Sequence, residues 1–163
     1  LLEVAEDESR EHYQKEDVVN VNQLCSEVMS QADIQNNGQL TLTYKNMLDN
    51  SFTLHTNRQA LEKILGQLMK NALKFTKEGS VELKVRERAA NGGVEFTITD
   101  TGIGIAEENH EKVFERFYKV DSFKQGLGLG LTMSRKMAEL LDGSLTIDKT
   151  YTKGARFVLV LPN

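Results

Sequence analysis

Two runs of strict alternation constrain this 163-residue chain more than any other feature. Val81, Leu83 and Val85 alternate with Glu82, Lys84 and Arg86, and Val94, Phe96 and Ile98 alternate with Glu95, Thr97 and Thr99. Asn91-Gly92-Gly93 lies between them, so the spacing predicts a hairpin with one apolar and one polar face. An apolar sheet face needs a second layer to cover it. The chain supplies one. Leu61, Ile64, Leu65, Leu68, Met69, Ala72 and Phe75 fall on one stripe of a helix predicted over residues 57–75, with Thr56 as its N-cap.

The remaining elements fit the same plan. Val18, Val19 and Val21 suit a short strand, and Asn22 reads as the N-cap of a helix carrying Leu24, Val28 and Met29. Asn36-Asn37-Gly38 is a turn signal before an alternating strand at Leu40, Leu42 and Tyr44, and Phe52, Leu54 and Thr56 give another. A short helix is expected over 107–117, an irregular loop over 118–127, and a helix from about Gly128 to Leu141 stopped by Gly143. Two last strands, near 144–149 and 155–161, are joined by a turn at Lys153-Gly154. The expected fold is α+β, a two-layer α/β sandwich with a mixed, mostly antiparallel sheet and helices packed on one face. Leu1-Leu2-Glu3-Val4-Ala5 reads as the tail of a helix cut from a longer protein, and the polar residues 6–17 as a solvated connection. Residues 1–16 are therefore expected as helix end and linker, and 17–163 as the domain.

Composition removes several functions. Twenty basic against 24 acidic residues give a net charge of −4, a poor balance for nucleic-acid binding. No apolar run reaches spanning length, so no membrane contact is expected of this fragment. The single cysteine, Cys25, excludes an internal disulfide and a paired-cysteine zinc site, and His12, His55 and His110 lack metal-ligand spacing.

Four short motifs bear chemistry, each with a plain structural alternative. Gln67, Asn71 and Lys74 form a polar stripe beside the apolar one, either a solvated helix face or a carboxamide for a hard cation with a lysine for phosphate. By strand parity Asp100 shares the apolar face, and a carboxylate there is costly unless it is bonded. It opens Asp100-Thr101-Gly102-Ile103-Gly104-Ile105, where glycines let a flat ligand approach; an Asp-Thr-Gly turn would give the same letters. Phe114-Glu115-Arg116-Phe117-Tyr118-Lys119 reads as helix packing, or as an anchor with a cation for phosphate. Gly126-Leu127-Gly128-Leu129-Gly130-Leu131 opens a helix, as a hinge or as amides facing an anion.

In this order and spacing the four motifs resemble the N, G1, F and G2 boxes of the histidine kinase catalytic domain, the ATP-binding half of bacterial two-component sensor kinases. Lys153-Gly154-Ala155-Arg156-Phe157 is similar to that family's final glycine turn, and Leu1–Ala5 to the end of its second dimerisation helix. The resemblance implies ATP held between helices and sheet under a mobile lid at 118–127. It implies Asn71 as a magnesium ligand with Gln67 beside it, Lys74 and Arg116 at the phosphates, and Asp100 on the adenine amine. Gly102, Gly104 and Ile105 would line the base, and Gly126, Leu127, Gly128, Leu129, Gly130 and Leu131 would form the phosphate-cradling segment. The implied partners are a dimerisation and histidine-phosphotransfer domain and, downstream, a response regulator receiver domain. The fragment is expected as a cytoplasmic monomer, in a parent either free or anchored in the inner membrane.

Three positions depart from the family pattern: Gln67 stands for asparagine, Leu127 for a hydroxyl residue and Ala155 for threonine. No histidine here has the His-Glu-x-x-x-Pro setting of the phosphoacceptor; the only proline is Pro162. Two other readings stand beside the kinase. An ATP hydrolase of the wider superfamily would need a glutamate base where Gln67 stands. A nucleotide-binding or docking module without catalysis would match the three departures.

Overall fold

The computed structural model describes residues 13–88, 93–115 and 127–163, with 127–129 by their backbone alone. The elements are β1 (Asp17–Asn20), α1 (Val21–Asn36), β2 (Thr41–Asn46), β3 (Thr53–Thr56), α2 (Arg58–Lys74), β4 (Ser80–Glu87), β5 (Val94–Asp100), α3 (Leu127–Leu140), β6 (Ser144–Ile147) and β7 (Arg156–Leu161). Five strands form one sheet in the order β2-β4-β5-β7-β6, and β1 pairs with β3 in a separate antiparallel ribbon. Only β2 and β4 run parallel; the expected β4–β5 hairpin is antiparallel, with Val81 opposite Asp100 and Glu87 opposite Val94. The α+β sandwich with a mixed sheet and helices on one face is the observed fold.

Alternation determines which face is covered. Val81, Leu83, Val85, Val94, Phe96, Ile98, Phe157, Leu159 and Leu161 are all buried. The intervening Glu95 adds nothing to that core and instead accepts from Arg86 across the outer face (3.0 Å). The stripe on α2 is buried as its spacing required, from Leu61 to Ala72. The polar run before β1 ends on the domain: Tyr13 is buried, the Gln14 carbonyl accepts from Asn57 Nδ2 (3.0 Å), and Lys15 pairs with Asp142.

Helix ends depart from expectation by one or two residues, each for a local reason. The N-cap of α1 is Asn20, which accepts from the Gln23 amide at 2.9 Å, not Asn22. Asn22 Oδ1 instead accepts from the Tyr44 hydroxyl (2.7 Å) and Asn46 Nδ2 (3.2 Å), fastening α1 to β2. The N-cap of α2 is Asn57, not Thr56, because Asn57 Oδ1 reaches the Ala60 amide (2.9 Å) while Thr56 completes β3. After α3 the left-handed residue is Asp142 (φ 64°), not Gly143, whose missing Cβ makes room for the Val160 carbonyl. Of the helix expected over 107–117, the described residues form two 3₁₀ turns, Glu107–Asn109 and Lys112–Phe114, and 116–117 lie outside the described residues. The caps give a direct test. Asn57→Ala should cost about 1 kcal/mol of stability. Thr56→Val should cost nothing, because the buried Thr56 hydroxyl has no hydrogen-bond partner among the described residues. Urea unfolding of the two variants reads the difference.

Candidate functional site

Asp100 ends β5 with its side chain on the covered face, 5% exposed. Its Oδ1 accepts two backbone amides, from Gly102 (2.9 Å) and Ala155 (3.0 Å). No hydrogen bond from the described residues reaches Oδ2. The carboxylate is therefore fixed by one oxygen and offers the other. Burial pushes its pKa up, and the two amides pull against that shift. The backbone on both sides is held as well: the Asp100 amide donates to the Ala155 carbonyl (2.8 Å), and the Tyr151 hydroxyl donates to the Asp100 carbonyl (2.8 Å).

From Asp100 the site runs to the end of α2. Gly102 packs on the Phe75 carbonyl and within 2.7 Å of the Thr76 hydroxyl, measured from where a Cβ would stand. Its glycine is thus required by the contact between loop and helix, independently of any ligand. Gly104 has φ 74° and lies beside the Gly154 carbonyl, so its backbone is of a kind that side chains rarely allow. Thr76 is buried and its hydroxyl has no hydrogen-bond partner among the described residues. One turn back, Asn71 is 5% exposed, its carbonyl accepts the Phe75 amide (3.0 Å), and its Oδ1 accepts from Gln67 Nε2 at a long 3.3 Å. Asn71 Nδ2 is buried without a partner among the described residues.

The second helix closes the chain of contacts. A Cβ on Gly130, in the first turn of α3, would stand 2.5 Å from Gln67 Nε2. The Gln67 carboxamide thus lies between Asn71 and the N-terminal turn of α3, where helix amides and dipole favour an anion. Among the described residues no group of three or more His, Cys, Asp or Glu could hold a metal. The donors here are neutral carboxamides. They suit a magnesium ion that takes most of its oxygens from phosphates and water, and they would not retain a bare ion.

The aromatic segment is anchored just before residue 116. Phe114 stacks edge-on against Phe157 of β7 (6.2 Å), its carbonyl accepts from Thr132 (2.9 Å), and the Arg135 guanidinium lies over its ring at 4.3 Å. Arg135 also pairs with Glu111 (2.9 Å). His110 donates from Nε2 to the Ile105 carbonyl (2.9 Å), which ties its ring to the loop after Asp100.

The sequence and the fold are matched by known proteins. The family model for histidine kinase-, DNA gyrase B- and HSP90-like ATPases covers residues 56–163. The chain belongs to this ATPase family. Its relatives include the autoinducer 2 sensor kinase/phosphatase LuxQ of Vibrio vulnificus, 35% identical over 67% of this chain and 14% of that protein. The sensor-like histidine kinase SenX3 of Mycolicibacterium smegmatis is 28% identical over 99% of this chain and 43% of its own length. Full-length ShkA, solved in complex with AMPPNP, superposes with a TM-score of 0.85 at 24% identity over 99% of this chain and 34% of that one. The catalytic domain of the histidine kinase ThkA gives 0.79 at 22% identity over 90% and 94%. At such identities the structures show a shared fold. The chain therefore spans a minor part of the sensor kinases it matches in sequence, as an ATPase domain of their type.

Within this ATPase domain the sequence-predicted residues divide into three groups. Asn71, Gln67, Asp100, Gly102, Gly104 and Gly130 come together along one line of contacts. Lys74 is exposed at the end of α2 with its ammonium 5.6 Å from the Phe75 ring, Ile105 is half-buried, and Leu131 is fully buried in the core. Arg116, Gly126 and nearly all of the expected lid lie outside the described residues; Leu127, Gly128 and Leu129 belong to the first turn of α3 by backbone. Sequence reading did not single out Tyr151, nor the contacts by which the Thr76 hydroxyl meets Gly102 and the Ala155 amide meets Asp100. Tyr151 carries no local signal, being 51 residues from the carbonyl it binds.

Proposed function

We propose that this domain binds ATP with magnesium and passes the γ-phosphoryl group to a histidine on a separate dimerisation domain, in two-component signal transduction. The observation that carries the reading is Asp100: a buried carboxylate with Oδ1 taken by two amides and Oδ2 left for a donor, which is what the amine of adenine supplies. Gly102, Gly104 and Ile105 would line the base. Lys74 and Arg116 would face the phosphates, with the amides of the 126–131 segment cradling them. Asn71, with Gln67 beside it, would complete the ligand set of a metal that arrives on the nucleotide, and that metal would neutralise charge on the phosphates. Residues 118–127 would close over the bound nucleotide and exclude water.

Where a hydrolase of the superfamily would need its glutamate base, Gln67 stands between Asn71 and Gly130, and an amide cannot take a proton. His110 Nε2 is engaged with the Ile105 carbonyl, which argues against it as an acceptor. The domain alone should therefore turn ATP over slowly and keep no label. The dimerisation helices of a sensor kinase added in trans should acquire acid-labile phosphohistidine, from which a receiver domain would take the group.

Calorimetric titration tests the binding step. ATP and ADP should bind, ATP more tightly with magnesium than with chelator, and GTP far more weakly because it presents a carbonyl where adenine has its amine. Equal affinities for ATP and GTP would sink the adenine assignment. No binding at millimolar nucleotide would leave a docking module as the better reading.

A further inference from the structure

Asp100 is clamped from one side by the loop between β6 and β7, and Tyr151 lies in that loop outside the glycine motif. Its hydroxyl donates to the Asp100 carbonyl at 2.8 Å. Further along the same loop, Gly154 passes so close that a Cβ would strike that same carbonyl and stand 2.9 Å from Asp100 Oδ1. Ala155 then gives its amide to Oδ1 (3.0 Å) and takes the Asp100 amide on its carbonyl (2.8 Å). The Tyr151 ring is itself held. Arg156 lies over it at 4.3 Å, and the guanidinium is fastened by Thr99 Oγ1 (2.9 Å) and Asp148 Oδ2 (3.4 Å). Asp148 in turn accepts the Thr150 amide (3.0 Å) and hydroxyl (2.7 Å), which shapes the turn leading into Tyr151.

We infer that Tyr151 is a positioning residue for base recognition: through its hydroxyl bond to the Asp100 carbonyl, braced by Arg156, it sets the angle at which Asp100 Oδ2 is presented to the base. The two amides fix only Oδ1. The direction of Oδ2 then depends on where the Asp100 Cα and Cβ stand relative to the bonded Oδ1, and the bond to the carbonyl helps hold that stretch of backbone in place. A carboxylate tilted by a few tenths of an ångström still binds the amides, yet it loses alignment with a donor across the pocket. The inference rests on the reading of Asp100 as the adenine acceptor.

Tyr151→Phe removes one oxygen and keeps the ring under Arg156. Calorimetry with ATP and GTP, in the wild type, in Tyr151→Phe, in Asp100→Asn and in the double variant, separates the possibilities. Tyr151→Phe should weaken ATP roughly two- to tenfold, the range of one neutral hydrogen bond, leave GTP and the magnesium enhancement of ATP binding unchanged, and barely move the melting temperature. In the Asp100→Asn background it should weaken ATP no further. Unchanged ATP affinity in Tyr151→Phe, an equal loss for ATP and GTP, or an equal loss in the Asp100→Asn background would overturn the inference. Should the phenylalanine variant not fold, Arg156→Lys loosens the ring while keeping the hydroxyl, and the same four-way comparison applies. If Asp100→Asn alone binds ATP like the wild type, the adenine assignment falls and this inference with it.

Discussion

Replacing Asp100 with asparagine should weaken ATP binding roughly ten- to hundredfold, the loss of one charge-assisted hydrogen bond worth about 1.5–3 kcal/mol. The substituted carboxamide would still accept the Gly102 and Ala155 amides through its oxygen, so its NH₂ would stand where Oδ2 stood and face the adenine amine donor to donor. The fold should not suffer. Burial raises the Asp100 pKa in the folded chain above its ordinary carboxylate value. By linkage, a group with a raised native pKa contributes stability that is full below its unfolded pKa and is lost as pH rises through the native value. Above the raised pKa the ionised Asp100 is therefore a burden to the empty domain, and there the asparagine variant should melt at the same temperature or slightly higher. ATP affinity has the opposite pH dependence, because the acceptor must be ionised: it should fall as pH is lowered through the raised pKa. Calorimetry across pH and a melting curve read both. A variant that loses stability and keeps ATP affinity would show that Asp100 serves the fold alone.

Asn71→Ala should remove the magnesium enhancement of ATP binding while leaving ADP binding without metal nearly intact. The expected loss in metal-dependent affinity is about ten- to hundredfold, by comparison with what even indirect partners of a bound metal contribute. The selectivity follows from the proposed site. Asn71 lies about one turn back from the Phe75–Gly102 contact that would support the base, so truncating it would disturb the proposed metal end first. Among the described residues its Oδ1 is held only by the long bond from Gln67 and its Nδ2 has no partner, so the amide is ready to change partners. Without nucleotide, magnesium should bind neither the wild type nor the variant, since Asn71 and Gln67 are neutral and among the described residues no group of three or more His, Cys, Asp or Glu could hold it. Isothermal titration in magnesium and in chelator gives the two ratios. A variant with the wild-type magnesium effect would place the metal elsewhere.

Much of the architecture is legible in the chain because it depends on short-range periodicity. The stripe from Leu61 to Ala72 and the alternation in β4 and β5 follow from which residues tolerate water, and the fold buries them as spaced. The parity that puts Asp100 among Val94, Phe96 and Ile98 holds for the same reason. Helix caps are legible only to within a residue or two. Asn20 and Asn57 compete with neighbouring Asn22 and Thr56 for the same role. At α1 the cap is the side chain not claimed elsewhere, as Asn22 is by Tyr44 and Asn46.

Local order along the chain is enough to set the layers, the covered face of the sheet, the order of the four motifs and the presence of a carboxylate where an apolar side chain was due. What those letters are for is settled by packing between distant segments. Packing assigns the glycine of Gly102 to the Phe75 carbonyl and that of Gly154 to Asp100, lays Gln67 between Asn71 and Gly130, turns 107–114 into two 3₁₀ turns, and brings Tyr151 to the back of Asp100. The difference is one of range. Periodicity and turn chemistry act over a few residues, whereas close approach and hydrogen-bond sharing depend on which distant segments meet, and that is fixed only when the sheet closes in the order β2-β4-β5-β7-β6.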